Sequence, residues 1–412
     1  MKVSVGVLTA LLTSFTGCSL SSDVKPLADP ASFDQRDAVV VLHGYYGSAL
    51  REKNGGARRW LKLSTILGGN FKVSLASSEL QVLESPELEV EGMLGKFTVL
   101  PWIYSTDVYE EFTARMERSG QIQAVPFAYD WRGDLHGAVL ELDALVKKLR
   151  ERGVPKVTLA AHSMGGLVAL YYLAYGTQDP ETAKLNWAGA KEVKAAGFFG
   201  TPFGGAMSIL RNMQHGTGYP WNKRMLLPGT VASFPASYQL LPLGEARFLR
   251  TDGTEIKIDL ANTDVWAKHR LGLYREAPEG SLPAREKYTQ RQIARAAAFH
   301  QRLHLVGTPP PALKFFNAVG VGRPTLASGY VDDASGEILF RPEEVEARGL
   351  PFTRLEQDGD GTVPLTQANV PSGISSITTT AQSKYSHDRL FADPEMEMAF
   401  EKFLGLKHAP KL

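Results

Sequence analysis

The sequence predicts an α/β fold, a mostly parallel sheet flanked by helices and interrupted by insertions. Apolar runs such as Ala38-Val39-Val40-Val41-Leu42 are continuous rather than alternating, as in strands covered on both faces. They alternate with stretches of helical spacing, the rhythm of a sheet wrapped by helices. Near the middle, Val157 to Leu170 passes from an apolar β-prone run through a turn of small residues directly into a helix. At 412 residues and 43% hydrophobic content, the chain can form one large domain with insertions or two domains. The 45 basic residues nearly balance 44 acidic ones, so no global basic field exists for nucleic acid.

In chain order, Met1-Lys2, the apolar Val3 to Phe15 and Thr16-Gly17-Cys18 form a targeting segment, with residues 1–17 as the signal peptide. It is too short to span a bilayer permanently. An apolar run ending in Gly-Cys resembles the bacterial lipoprotein signal, in which Cys18 becomes the lipidated N-terminus. The alternatives are a plain secretory signal with Cys18 incidental, or an uncleaved anchor. The expectation is an exported chain, held by lipid on the periplasmic face or cell surface. Cys18 is the single cysteine, so intrachain disulfides and multi-cysteine zinc sites are excluded. Residues 18–36 are polar and weakly patterned, a tether, and the folded domain is expected over 37–412.

The strand from Ala38 ends in His43-Gly44-Tyr45-Tyr46-Gly47-Ser48. From about 48 to 120 the pattern degrades, with Arg51, Lys53, Arg58, Arg59 and Lys62 around Trp60, and with Trp102, Tyr104 and Tyr109 further on. This insertion is a lid or membrane-facing surface, its cations suited to anionic lipid, or else a solvated loop around one buried tryptophan. A short helix is expected over Val108 to Ser119. The next strand, Ile122 to Tyr129, leads into Asp130-Trp131-Arg132. Leu135 to Arg152 has helical spacing, with Gly153 as its C-terminal cap.

The stretch Ala161-His162-Ser163-Met164-Gly165 has the form A-x-S-x-G between strand and helix. A nucleophile elbow needs small neighbours because its backbone is strained and tightly turned. Ser163 Oγ would then project above the sheet, and the Met164 N–H at the helix start would face an oxyanion. After a strand at Val193 to Phe199, residues from about 206 to 305 leave the rhythm and read as a cap, with Pro220-Trp221 and a long helix near Ala284 to Leu303. The sheet resumes at Leu313 to Val321, followed by a hairpin near Tyr330 to Phe340, a strand at Ile374 to Thr380 and a final helix from Pro394 to Leu404.

Ser163, an acid in Asp358-Gly359-Asp360-Gly361 and the late His387 follow the α/β-hydrolase order. His387 is the base because it follows a late strand and precedes the final helix. Asp360 is the acid, with Asp358 in reserve. The same D-x-D-G letters recur in calcium loops, but the glutamate expected downstream is Gln367, so no metal is assigned and no cofactor is called for.

Together, His43-Gly44-Tyr45, Ala128-Tyr129-Asp130-Trp131-Arg132, Ala161-His162-Ser163-Met164-Gly165-Gly166 and Asp358-Gly359-Asp360-Gly361-Thr362-Val363 resemble the lecithin:cholesterol acyltransferase family. The resemblance implies an acyl-enzyme on Ser163 formed from a lipid ester, served by Asp360 and His387 and by the N–H groups of Tyr45 and Met164. His43, Gly44, His162 and Gly165 are expected to support the site, and Asp130, Trp131 and Arg132 to have a structural role near it, through a buried ion pair or ring packing, in preference to direct substrate contact. Disulfides that brace lid and cap in secreted vertebrate members cannot form here. The expected partners are a lipid ester and a membrane surface. The other readings are an esterase for small acyl substrates and a surface lipoprotein that binds without turnover.

Overall fold

The computed structural model describes residues 22–406 apart from 101–103, 108, 119, 220 and 221. Residues 1–17 and Cys18, with the lipidation expected there, therefore lie outside the described residues, as do Trp102 and Trp221.

Six parallel strands form the central sheet: β1 (Asp37–Leu42), β2 (Ile122–Phe127), β3 (Val157–His162), β4 (Val193–Phe199), β5 (Lys314–Gly320) and β6 (Thr378–Ser383). Their order is β2-β1-β3-β4-β5-β6. The apolar runs are continuous because both faces are covered, and every residue of β3 is buried. The principal helices are α1 (Glu110–Glu117), α2 (Leu135–Glu151), α3 (Met164–Tyr175), α4 (Met207–His215), α5 (Leu282–His304) and α6 (Pro394–Leu404). Buried residues occupy every position of α3, which runs under the cap, whereas α2 is amphipathic and buries Leu135, Val139, Leu142, Val146 and Leu149 on one side.

Several boundaries differ from expectation for local reasons. Strand β2 stops at Phe127 because the Tyr129 N–H leaves the ladder to donate to His43 Nε2 at 3.2 Å. The β-branched stretch expected as a strand from Ile374 begins instead as a helical turn, Ser372–Ser375, set off by Pro371. There Ile374 packs fully buried in the core, and β6 starts only at Thr378. The stretch 18–36, expected as a tether, is folded from Ser22 onward: Ser22–Pro26 pairs antiparallel with Leu88–Leu100. The long strand has an edge of unpaired backbone groups, and these residues satisfy it.

The expected insertion at 48–120 is a five-stranded antiparallel sheet built from Ser22–Pro26, Ser48–Glu52, Arg58–Trp60, Leu88–Leu100 and Tyr104–Asp107. Four of its basic residues pair with acids of the same sheet. Arg51 meets Glu89 at 2.8 Å, Lys53 meets Glu87 at 2.8 Å, Arg58 meets Glu91 at 2.6 Å, and Arg59 pairs with Glu52. Trp60 is buried and faces Trp131 at 5.2 Å. The cap over 206–305 combines α4, α5, short helices and a strand pair, Glu245–Arg250 with Glu255–Asp259. The Tyr330–Val331 and Ile338–Leu339 hairpin extends that cap sheet by pairing in parallel with Glu245–Arg250. Among the described residues, no helix is long and apolar enough to cross a membrane.

Candidate active site

Ser163 stands between β3 and α3 with φ 53° and ψ −123°, a strained conformation for a residue with a side chain. Its N–H donates to the Phe199 carbonyl at 2.8 Å, tying the elbow to β4. Close packing explains the glycines that follow. A Cβ on Gly165 would come within 2.7 Å of the His43 carbonyl oxygen, and one on Gly166 would overlap the Thr201 hydroxyl. The strand carrying His43 can therefore pass directly beneath the turn.

The structure brings Ser163, His387 and Asp360 into one hydrogen-bonded row. Ser163 Oγ lies 2.8 Å from His387 Nε2, and His387 Nδ1 lies 2.7 Å from Asp360 Oδ2. Asp360 is 1% exposed, and its other oxygen accepts the N–H groups of Thr362 at 2.9 Å and Val363 at 2.7 Å. Burial pushes the Asp360 carboxyl upward, but the charge and hydrogen bond of His387 outweigh it, and the net shift is downward. Burial pulls His387 down, while Asp360 raises it more, so the imidazole ends above its ordinary value. Asp358 takes no part, since its Oδ1 accepts the Gly322 N–H at 2.6 Å on the antiparallel pair Arg323–Leu326 and Glu356–Gly359.

Met164 is the first residue of α3, where an N–H has no intrahelical acceptor. Tyr45 lines the same cavity as Ser163, and its phenol oxygen lies 2.6 Å from Ser237 Oγ on the cap. The neighbouring His43 is buried away from that cavity, stacked on Tyr129 with ring centroids 4.1 Å apart. Its Nδ1–H donates to the Gly44 carbonyl at 2.7 Å, and burial lowers its pKa to about 4. Tyr129 returns its hydroxyl to the His43 carbonyl at 2.7 Å.

The Asp130-Trp131-Arg132 run sits beneath the cavity wall. Arg132 is 2% exposed and grips Asp130 with Nε at 2.9 Å and Nη2 at 2.7 Å, while Nη1 donates to the Val73 carbonyl at 2.9 Å. Trp131 is fully buried, donates Nε1–H to the Ser48 carbonyl at 3.1 Å, and packs edge-on against Tyr45, Tyr46 and Phe234. These residues join the sheet, the insertion and the cap into one wall.

His162, next to the serine, does not enter the Ser163–His387–Asp360 row. Its Nε2 donates to the His387 carbonyl at 2.8 Å, and its Nδ1 lies 3.0 Å from the Tyr109 hydroxyl. The same phenol accepts the Gly44 N–H at 2.9 Å. Sequence reasoning missed Tyr109 in this role, because it lies in the stretch with no periodic pattern and reaches the elbow only through the fold. Arg211, on α4 in the cap, also lines the cavity that holds Ser163.

The cavity above Ser163 has a volume of about 390 Å³ and is walled largely by apolar and aromatic groups, among them Tyr46, Trp60, Leu61, Leu94, Ile209 and Met225. Such a wall suits an acyl chain. Among the described residues, no group of three or more His, Cys, Asp or Glu side chains gathers to hold a metal ion.

Residues 95–269 match the family described as lecithin:cholesterol acyltransferase. That span includes Asp130-Trp131-Arg132 and the serine elbow and ends before Asp360 and His387. The curated relative "Uncharacterized protein YJR098C" of Saccharomyces cerevisiae is 25% identical over 274 residues, 65% of this chain and 38% of the yeast protein. The chain thus spans 38% of the length of that relative. Among solved structures, a chain of the Tle4–Tli4 complex is similar with a TM-score of 0.56 at 14% identity, covering 89% of this chain and 97% of that one. Mature Bacillus licheniformis lipase BlEst2 has a TM-score of 0.38 at 12% identity, covering 95% of this chain and 99% of that one. The fold is that of the α/β-hydrolases, and over residues 95–269 the chain matches the lecithin:cholesterol acyltransferase family.

Proposed function

We propose that the protein is a serine acyl hydrolase or O-acyltransferase acting on lipid esters. The observation that carries the reading is the row in which Ser163 Oγ, His387 and Asp360 are linked at 2.8 and 2.7 Å under an apolar cavity. A serine hydroxyl is a weak nucleophile until a base takes its proton. In this reading His387 Nε2 takes the Ser163 proton as Oγ attacks the ester carbonyl, and Asp360 holds the Nδ1–H tautomer and stabilises the imidazolium. The N–H groups of Tyr45 and Met164 receive the oxyanion. The C–O bond then breaks, His387 returns its proton to the departing alcohol, and the acyl group remains on Ser163. Water or a lipid alcohol, deprotonated by His387, takes the acyl group and restores the serine.

The family match and the apolar cavity support a lipid acyl group over a small one. The reading is tested by incubating the protein with acyl-labelled phospholipid vesicles, with and without a long-chain alcohol. Label moving onto the alcohol identifies a transferase, and free fatty acid alone identifies a hydrolase. No release, with Ser163 inert to a fluorophosphonate probe, rejects both and leaves a binding lipoprotein. Export and attachment through Cys18 are proposed on the sequence alone, and metabolic labelling with a fatty acid, lost in Cys18→Ala, is their test.

A further inference from the structure

Among the described residues, one cation in the cavity wall has no acidic partner. Arg211 projects from α4, half-buried, and lines the cavity that also holds Ser163 and His387. Among the described residues, its polar contacts are two long ones: Nε and Nη2 each lie 3.4 Å from Asn212 Oδ1, and no carboxylate pairs with it. A guanidinium keeps its charge in any protein environment and presents five donors in a fork that fits an oxyanion. Burial draws the Arg211 pKa down, as removal of a cation from water does. Two neighbouring guanidinium groups, by contrast, face acids: Arg341 meets Glu344 at 2.6 Å, and Arg275 faces Glu337 at 3.7 Å.

Arg211 also lines a second cleft of about 320 Å³, reached from the first past Thr217 and Tyr219. Its charged walls are Arg211, Lys223 and Arg341 against Glu343, with His215 beside them. Arg341 is already paired, but Lys223 is exposed and, like Arg211, has no carboxylate partner among the described residues. His215 is held neutral, since burial brings its pKa to about 4. The cleft therefore carries a net positive field that repels a quaternary ammonium and attracts an anion. In the first cavity Asp388 supplies a carboxylate on the His387 side, so the positive end is defined by Arg211.

We propose that Arg211 is the anion-recognition residue of the ester cavity, and that the favoured substrate is a carboxylic ester of a glycerophosphodiester whose head group is uncharged or anionic rather than choline. This rests on the reading of Ser163 as the nucleophile and adds the head-group class to it. The acyl chain lies along the apolar wall, the phosphodiester meets the Arg211 fork, and the head group enters the cleft of Lys223.

The test uses short-chain substrates kept monomeric, so that surface charge plays no part: dihexanoyl phosphatidylglycerol, dihexanoyl phosphatidylcholine and neutral tributyrin. The expected result is a kcat/KM for phosphatidylglycerol at least about 10-fold above that for phosphatidylcholine. In Arg211→Gln the phosphatidylglycerol-to-tributyrin ratio falls by about 10- to 100-fold, and Arg211→Lys restores part of it, as a point charge replaces the fork. Equal kcat/KM for the two phospholipids, or a ratio unmoved in Arg211→Gln with an unchanged melting transition, overturns the proposal. Calorimetric titration of glycerophosphoglycerol and of inorganic phosphate into Ser163→Ala separates this proposal from the hydrolase reading. Glycerophosphoglycerol binding that is lost in Ser163→Ala/Arg211→Gln supports the subsite even if no ester is cleaved. Absence of binding overturns it, as does equal affinity for inorganic phosphate, which would mark a free-phosphate site.

Discussion

The hydroxyl of Tyr109 lies 3.0 Å from Nδ1 of His162, across 53 positions of chain. The far side of that ring decides the direction of the contact. His162 Nε2 faces the His387 carbonyl oxygen, which only accepts, so Nε2 carries the hydrogen and Nδ1 receives the Tyr109 O–H. The phenol oxygen is then free to accept the Gly44 N–H. One continuous chain thus joins the loop before Tyr45, the serine elbow and the loop of His387.

Tyr109→Phe removes one hydroxyl and leaves both a buried N–H and a buried imidazole nitrogen unpaired. We expect a stability loss of about 1–3 kcal/mol, read as a shift in the urea midpoint. If the chain also sets the position of His387, kcat falls about tenfold with KM little changed. A variant as active as the wild type would make the contact purely structural.

Asp360 and Asp358 are separated by one residue and are chemically alike, so substitution discriminates them. Asp360→Asn leaves His387 without the anion that orients it, and kcat should fall by about 10³- to 10⁴-fold. Asp358→Asn alters a contact to the Gly322 N–H away from the row and should cost less than about threefold. Steady-state kinetics on one ester substrate decides between them, and a larger loss at position 358 would reassign the acid.

The pH profile follows from the same pair. His387 must be neutral to accept the Ser163 proton, and Asp360 raises its pKa above 6.5. Activity should therefore rise with pH through a limb centred above 6.5 and stay high on its alkaline side. In Asp360→Asn the residual activity should show that limb moved to lower pH, because the stabilising anion is gone. A limb that does not move would separate His387 from Asp360.

Acid stability has a different source. Burial lowers the pKa values of His43 and His300 to about 4 and that of His162 to about 3. The folded state holds these rings neutral, while the unfolded chain protonates them below 6.5, so the unfolded state binds more protons and stability rises with pH. Between about pH 6 and 4 each ring should cost up to about 1.4 kcal/mol per pH unit. The raised His387 adds no slope in that range, since its contribution is fully present below 6.5 and is lost only as pH rises through its folded value. Chemical denaturation at several pH values measures the sum, and a midpoint independent of pH over that range would refute it.

Arg132→Gln strands the Asp130 carboxylate and leaves the Val73 carbonyl without its donor. Because the Asp130 side chain is 34% exposed, water takes up part of the cost, and we expect about 2–3 kcal/mol. The urea midpoint reports it, and a loss under about 0.5 kcal/mol would show that the pair is dispensable.

The sheet was readable because a buried parallel strand must be apolar along its whole length, and runs such as Ala38 to Leu42 leave no other reading. The elbow was readable because its strain admits few residues, so Ser163 between Ala161 and Gly165 carries its own geometry. Order and loop chemistry selected Asp360 and His387, each at the end of a strand. The insertion and the cap showed in the sequence only as places where the rhythm fails, and their internal structure was not readable. Antiparallel edges, ion pairs such as Arg58 with Glu91, and the capture of Ser22–Pro26 depend on partners dozens of residues away, and local propensity contains no record of them. Tyr109 and Arg211 belong to the same class. Alone each is an ordinary tyrosine or arginine in an unpatterned or cap segment, and tertiary packing alone decided that one hydroxyl bridges Gly44 and His162 and one guanidinium faces the cavity of Ser163.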